Sequence, residues 1–162
     1  MIAKVVDTNV LVVANGRDTH ASDECKRAAV SALIGVKDSS SLIVDAGRRI
    51  LGEYRKHCDQ SGQPGLGDEF FRWAFDHAAF LHAVKLTEDE DRGFEEFPDD
   101  PALAGFDPDD RVFVAVSAAA RIDNVILNAV DSDYKLHCGG LAAVGVVVEE
   151  LCPNELKAAT EA

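Results

Sequence analysis

Apolar positions fall into short runs that end at carboxylates, separated by stretches with helical spacing. Ile2–Val6 is the first run and ends at Asp7. Ser22–Ile34 sets Cys25, Ala28, Ala29, Ala32 and Leu33 on one helical face. Ser41–Val44 reads as a second strand, ending at Asp45, and Ala46–Cys58 as a helix burying Ile50, Leu51 and Tyr54. After a turn at Gln63–Gly67, Asp68–Leu81 repeats the pattern with Phe71, Ala74, Phe75 and Ala78. Arg111–Arg121 is helical through Val112, Val116 and Ala119, Val125–Ala129 is a strand, and Val144–Val148 is the last strand. A short helix stopped by Pro153 closes the pattern.

Strands and helices alternate, and the strand runs are continuously apolar. That combination predicts an α/β fold: a central, mostly parallel sheet of about four to five strands with helices on both faces. A chain of 162 residues is expected to form one domain, placed at 1–153, with a tail at 154–162. No apolar run approaches the ~20 residues that span a bilayer. Met1–Lys4 leads straight into the first strand and lacks the features of a signal peptide. The expectation is a cytoplasmic protein without membrane attachment. Cys25, Cys58, Cys138 and Cys152 are widely spaced, so they are expected to be reduced, with no disulfide framework and no zinc site.

The net charge of −13 is unevenly placed. Eleven of the 29 acids, with one of the 16 bases, lie between Thr87 and Asp110, so the rest of the chain is nearly neutral. Residues 87–106, punctuated by Pro98 and Pro101, are expected to be an acidic surface loop, with Thr87–Asp100 as a mobile flap. The overall acidity argues against tight nonspecific nucleic-acid binding and leaves a local basic face open.

Ligands of open parallel sheets bind beyond the carboxyl ends of the strands. Asp7 ends the first strand, Glu53 lies two turns into the helix after the second, Asp110 opens a helix, and Asp131 and Asp133 follow the strand at 125–129. Each acid has an ordinary reading as a helix cap or a solvated side chain. Together they predict one carboxylate cluster. Like charges raise each other's pKa, and a divalent cation removes that cost. Oxygen ligands suit Mg²⁺ or Mn²⁺, which can activate water and neutralise a phosphodiester.

Val5-Val6-Asp7-Thr8-Asn9-Val10-Leu11 resembles the opening of a PIN domain. The order that follows is also similar to that family: Glu53 within Ile50–Tyr54, Asp110 leading a Val-rich helix, then Asp131-Ser132-Asp133-Tyr134. The resemblance spans nearly the whole chain. It implies a metal-dependent endoribonuclease that leaves 5′-phosphate and 3′-hydroxyl ends. Asp7, Glu53, Asp110 and Asp131 would be catalytic, with Asp133 joining Asp7, Asp110 and Asp131 at the metal. Asn9 would orient Asp7, and Thr8 would support the site. Small members are often toxins paired with an antitoxin protein, and PIN domains often form homodimers. Two departures stand out: Ala129 lies where many members carry Thr or Ser, and the acidic stretch before Asp110 is long.

Arg48, Arg49, Arg55 and Arg111 are candidates to grip substrate phosphate, and Lys56 and His57 extend the same basic stretch. A catalytically silent PIN-like module that binds a protein partner is the alternative. A phosphatase using Asp7 as nucleophile ranks below both, because the second acid it needs two residues on is replaced by Asn9.

Overall fold

A computed structural model describes residues 2–155. In chain order the elements are β1 (Ala3–Val6), α1 (Thr8–Ala14), α2 (Asp23–Ser39), β2 (Ile43–Asp45), α3 (Arg49–His57), α4 (Leu66–Asp76) and β3 (His82–Val84). There follow β4 (Glu88–Asp89), β5 (Gly93–Phe94), α5 (Arg111–Ala119), β6 (Asn124–Asn128), α6 (Asp133–Leu136), α7 (Cys138–Ala143) and β7 (Val148–Glu150).

The α/β class is observed, and the sheet is smaller than expected. A three-stranded parallel sheet runs in the order β1-β6-β7, and β2-β3 form a separate parallel pair. One parallel bridge, Lys4 to Leu42, joins the two, with Lys4 N donating to Ser41 O at 2.8 Å. Successive strand residues point to opposite faces. Val5 and Val6 are both fully buried, as are Ile126 and Leu127, so both faces of the sheet are covered. Helices α1, α2, α3 and α4 pack on one another, while α5 lies against β1, β2 and β6.

Caps set several helix limits. Ser22 Oγ accepts from Cys25 N at the start of α2, with Asp23 and Glu24 in its positive first turn. The Asp45 carboxylate accepts from Arg49 N at 2.9 Å and Ile50 N at 2.8 Å. It thereby starts α3 at Arg49, three residues later than the apolar spacing predicts. The fully buried Asp68 accepts from Gly65 N, Asp59 N and Asn15 Nδ2 and pairs with Arg17, which locks the entrance to α4. Helix α4 ends at Asp76 rather than Leu81, because the chain must turn there into β3.

Three features refine these expectations. The stretch 87–106 keeps its acids exposed or half-buried and is anchored through a few buried side chains. Its acids are interleaved with Phe94, Phe97, Leu103 and Phe106, which are all buried. Glu88–Asp89 and Gly93–Phe94 pair as an antiparallel hairpin. Arg111 lies 4.7 Å from the Phe97 ring centroid and donates to the carbonyls of Arg92, Ala104 and Phe106. Second, the last strand is Val148–Glu150, not Val144–Val148, because Gly145 turns the chain at φ +80° and pairing with Ile126 begins at Val148. Third, Cys25 and Cys152 form a disulfide, while Cys58 and Cys138 are free. The bond ties α2 to the segment after β7 across 127 residues of sequence. Disulfides are rare in reducing compartments, so the cysteines do not support the cytoplasmic expectation. Among the described residues no helix is long and apolar enough to cross a membrane. Of the tail at 154–162, residues 156–162 lie outside the described residues.

Candidate metal centre

Strands β1 and β6 run parallel with Val6 opposite Leu127, so their carboxyl ends share one edge. Asp7 follows β1, and Asp131 sits in the loop after β6. Asp110 reaches the same edge at the end of a 3-10 turn, Pro108–Asp110, whose start is capped by Asp107 Oδ1 accepting from Asp109 N. One carboxylate oxygen from each of Asp7, Asp110 and Asp131 lies within 4.8 Å of the other two.

Asp7 is only 2% exposed and is held by donors on both oxygens. Oδ1 accepts from Asn9 N at 3.0 Å and Asn9 Nδ2 at 2.8 Å; Oδ2 accepts from the Tyr134 hydroxyl at 2.6 Å. Asp7 is thus also the cap of α1, as its ordinary reading expects. Burial pushes its pKa up to about 6, against the opposing pull of the Tyr134 and Asn9 donors. Asp110 is pushed up to about 9, first by burial, then by its hydrogen bond with Asp131 and the charge of Asp7. The Tyr134 phenol is raised further from its usual range by burial and by Asp7, and stays a donor. The three acids are therefore a site short of positive charge.

A cleft of about 480 Å³ opens over the cluster. Seven of its thirteen lining residues are acids, and its basic side chains are Lys56 and His57. Glu53 lines the wall outside the three-acid cluster, with Lys56 Nζ 2.7 Å from its carboxylate. Thr8 lines the same cleft. Its Oγ1 is the single buried side-chain polar atom without a hydrogen-bond partner among the described residues. Hard oxygen donors, a surplus of negative charge and an unpartnered hydroxyl fit a hard divalent cation.

No family model, curated protein or solved structure matches the chain.

Asn9 donates to Asp7 Oδ1, and its own Oδ1 accepts from Ala129 N and Val130 N. Asp133 is turned away from the three-acid cluster. Its Oδ2 accepts from Asp107 N at 2.6 Å and its Oδ1 lies 3.8 Å from His137 Nδ1, because α6 begins at Asp133. None of the four arginines lines the cleft. Arg48 is exposed and precedes α3 at φ 61°. Arg49 pairs with Glu88 and lies over Phe94, Arg55 lies over Phe75, and Arg111 is buried among carbonyls. The sequence reading did not single out Tyr134, Asn128 or Glu150, which hold the acids in place. Asn128 was visible in principle, as an amide ending the apolar run Val125–Leu127.

Proposed function

We propose that this chain is a Mg²⁺- or Mn²⁺-dependent endoribonuclease of the kind its resemblance to PIN domains implies. The observation that carries this reading is the convergence of Asp7, Asp110 and Asp131 on one open cleft. Asp7, Asp110 and Asp131 would hold the ion. When bound, the ion supplies Lewis acidity, which activates water and offsets charge on the phosphodiester. Tyr134 and Asn9 hold Asp7 rigidly, so little reorganisation is needed when charge develops. Lys56 places positive charge on the wall where a phosphate backbone would pass, His57 beside it can donate a hydrogen bond, and Glu53 can hold or move a proton.

The test is incubation of single-stranded, structured and transfer RNAs with protein in Mg²⁺, Mn²⁺ and EDTA. Cleavage that requires metal and is lost in Asp7→Asn and Asp110→Asn is expected. Equal cleavage by parent and both variants would falsify the reading. One observation favours a binding-only module instead: Lys56 is paired with Glu53, and acids dominate the cleft. That module would bind Mn²⁺, or no metal, and cut none of the RNAs.

A further inference from the structure

Asn128 is fully buried at the end of β6 and makes four side-chain hydrogen bonds. Its Oδ1 accepts from Asn9 Nδ2 at 3.0 Å and from Asp131 N at 3.2 Å. Its Nδ2 donates to Asp131 O at 2.8 Å and to Glu150 Oε2 at 2.7 Å. Both the N–H and the C=O of Asp131 are thereby clamped by one side chain. Asn9, the third partner, is the residue that donates to Asp7 Oδ1. A reversed amide would set N–H against N–H at Asp131, so the network fixes the orientation of Asn128.

We infer that Asn128, braced by Glu150 on β7, is the positioning residue that sets Asp7 and Asp131 relative to each other for a divalent cation. The inference rests on the metal reading of the cleft. Ala129 cannot supply a side-chain hydroxyl, and the amide one residue earlier provides the rigidity from within the strand. Such outer partners orient ligating groups and typically change metal affinity by about 10–100-fold when replaced.

The geometry dictates a swap. Asn128→Asp keeps an acceptor for Asn9 and Asp131 N. It loses the donor and faces the Glu150 carboxylate and the Asp131 carbonyl. Adding Glu150→Gln returns a donor to the pair at the parent's net charge.

Two readouts follow each variant. One is Mn²⁺ affinity, from the free-ion signal in electron paramagnetic resonance. The other, in metal-free protein, is hydrogen exchange of the Asp133 amide, which donates to Asp131 Oδ1 at 2.9 Å and so reports where that carboxylate sits. Leu33→Ala, in the core face of α2, serves as a destabilised control.

N128D is expected to weaken Mn²⁺ binding at least ~10-fold and to speed Asp133 exchange by a similar factor. N128D/E150Q should recover most of both. L33A should leave both within about twofold of parent despite a lower Tm. Should N128D not fold, Glu150→Ala on the edge strand frees one end of the amide and should move both readouts in the same direction, about threefold. Parent-like values in N128D, or in E150A where N128D does not fold, overturn the inference, as does an equal loss in L33A. If the parent itself binds no Mn²⁺, the metal reading fails, and the positioning role then stands or falls on Asp133 exchange alone.

Discussion

Metal binding at Asp7, Asp110 and Asp131 has to displace protons, because burial and mutual charge raise the carboxyl pKa values of Asp7 and Asp110. At pH 7 a carboxyl with a pKa of about 6 is ionised in roughly nine molecules of ten, and one at about 9 in roughly one of a hundred. A divalent cation needs both ionised. Binding at pH 7 to 8.5 should therefore release close to one proton, contributed by Asp110. Apparent affinity should tighten about tenfold per pH unit in that range, because the competing proton becomes tenfold scarcer. Below about pH 6 Asp7 also takes up a proton, and the dependence should steepen towards a hundredfold per unit. The sign is fixed by the direction of both shifts: raised carboxyl pKa values make acid oppose metal. Calorimetric titration with Mg²⁺ at pH 6.5, 7.5 and 8.5, in two buffers of different ionisation enthalpy, measures both affinity and protons released. An affinity independent of pH, with no proton release, would refute the claim that Asp110 is both protonated at rest and a ligand when metal is bound.

The same shift has a stability consequence. The folded protein keeps a proton on Asp110 that the unfolded chain gives up above about pH 4, so metal-free stability should fall as pH rises from about 4 towards 9. Asp110→Asn, which mimics the protonated acid, should melt a few degrees above the parent at pH 8 and alike below pH 4 in EDTA. Glu53→Gln should reduce RNA cleavage at least ~100-fold while Mn²⁺ affinity stays within about twofold, because Glu53 lies on the cleft wall and not in the cluster. Reduction of Cys25–Cys152 opens a 127-residue loop; chain entropy puts its worth near ~5 kcal/mol, so Tm should drop by roughly 10 °C or more. Thiol titration in denaturant should count two thiols before reduction and four after. Arg111→Ala leaves the buried Phe106 carbonyl and the Ala104 carbonyl without their donor and should cost about 2–4 kcal/mol. Limited proteolysis should then cut within 87–106 at sites the parent protects.

The site was more legible in the sequence than the packing around it. Asp7, Asp110 and Asp131 could be placed together because parallel strands deliver their ends to one edge, and period and apolarity reveal such strands. The family resemblance implies Asp133 at the metal, yet the start of α6 rotates it towards Asp107 N. Spacing along a chain does not encode that rotation. The anchoring of the stretch 87–106 is hard to read because net charge masks its apolar positions. Four apolar side chains among eight acids suffice to anchor a segment when a buried guanidinium collects its carbonyls. The partnership of Cys25 and Cys152, and the reach of Asn128 to Glu150 on a neighbouring strand, are set by the tertiary fold alone.

The seam between the two small sheets gives the cleft a mechanical character. Asp7 and Asp131 ride on the plate built from β1, β6 and β7, whereas Glu53 and Lys56 ride on α3, rooted in the plate of β2 and β3. The strands of the two plates meet at one bridge, Lys4 to Leu42, and the Tyr54 hydroxyl crosses from α3 to Val6 O at 2.6 Å. Beyond these two links the walls are joined by packing, with α5 lying across β1, β2 and β6 and α1 against α3. The width of the cleft therefore rests on side-chain packing, while the spacing of Asp7 and Asp131, carried on one plate, rests on paired strands.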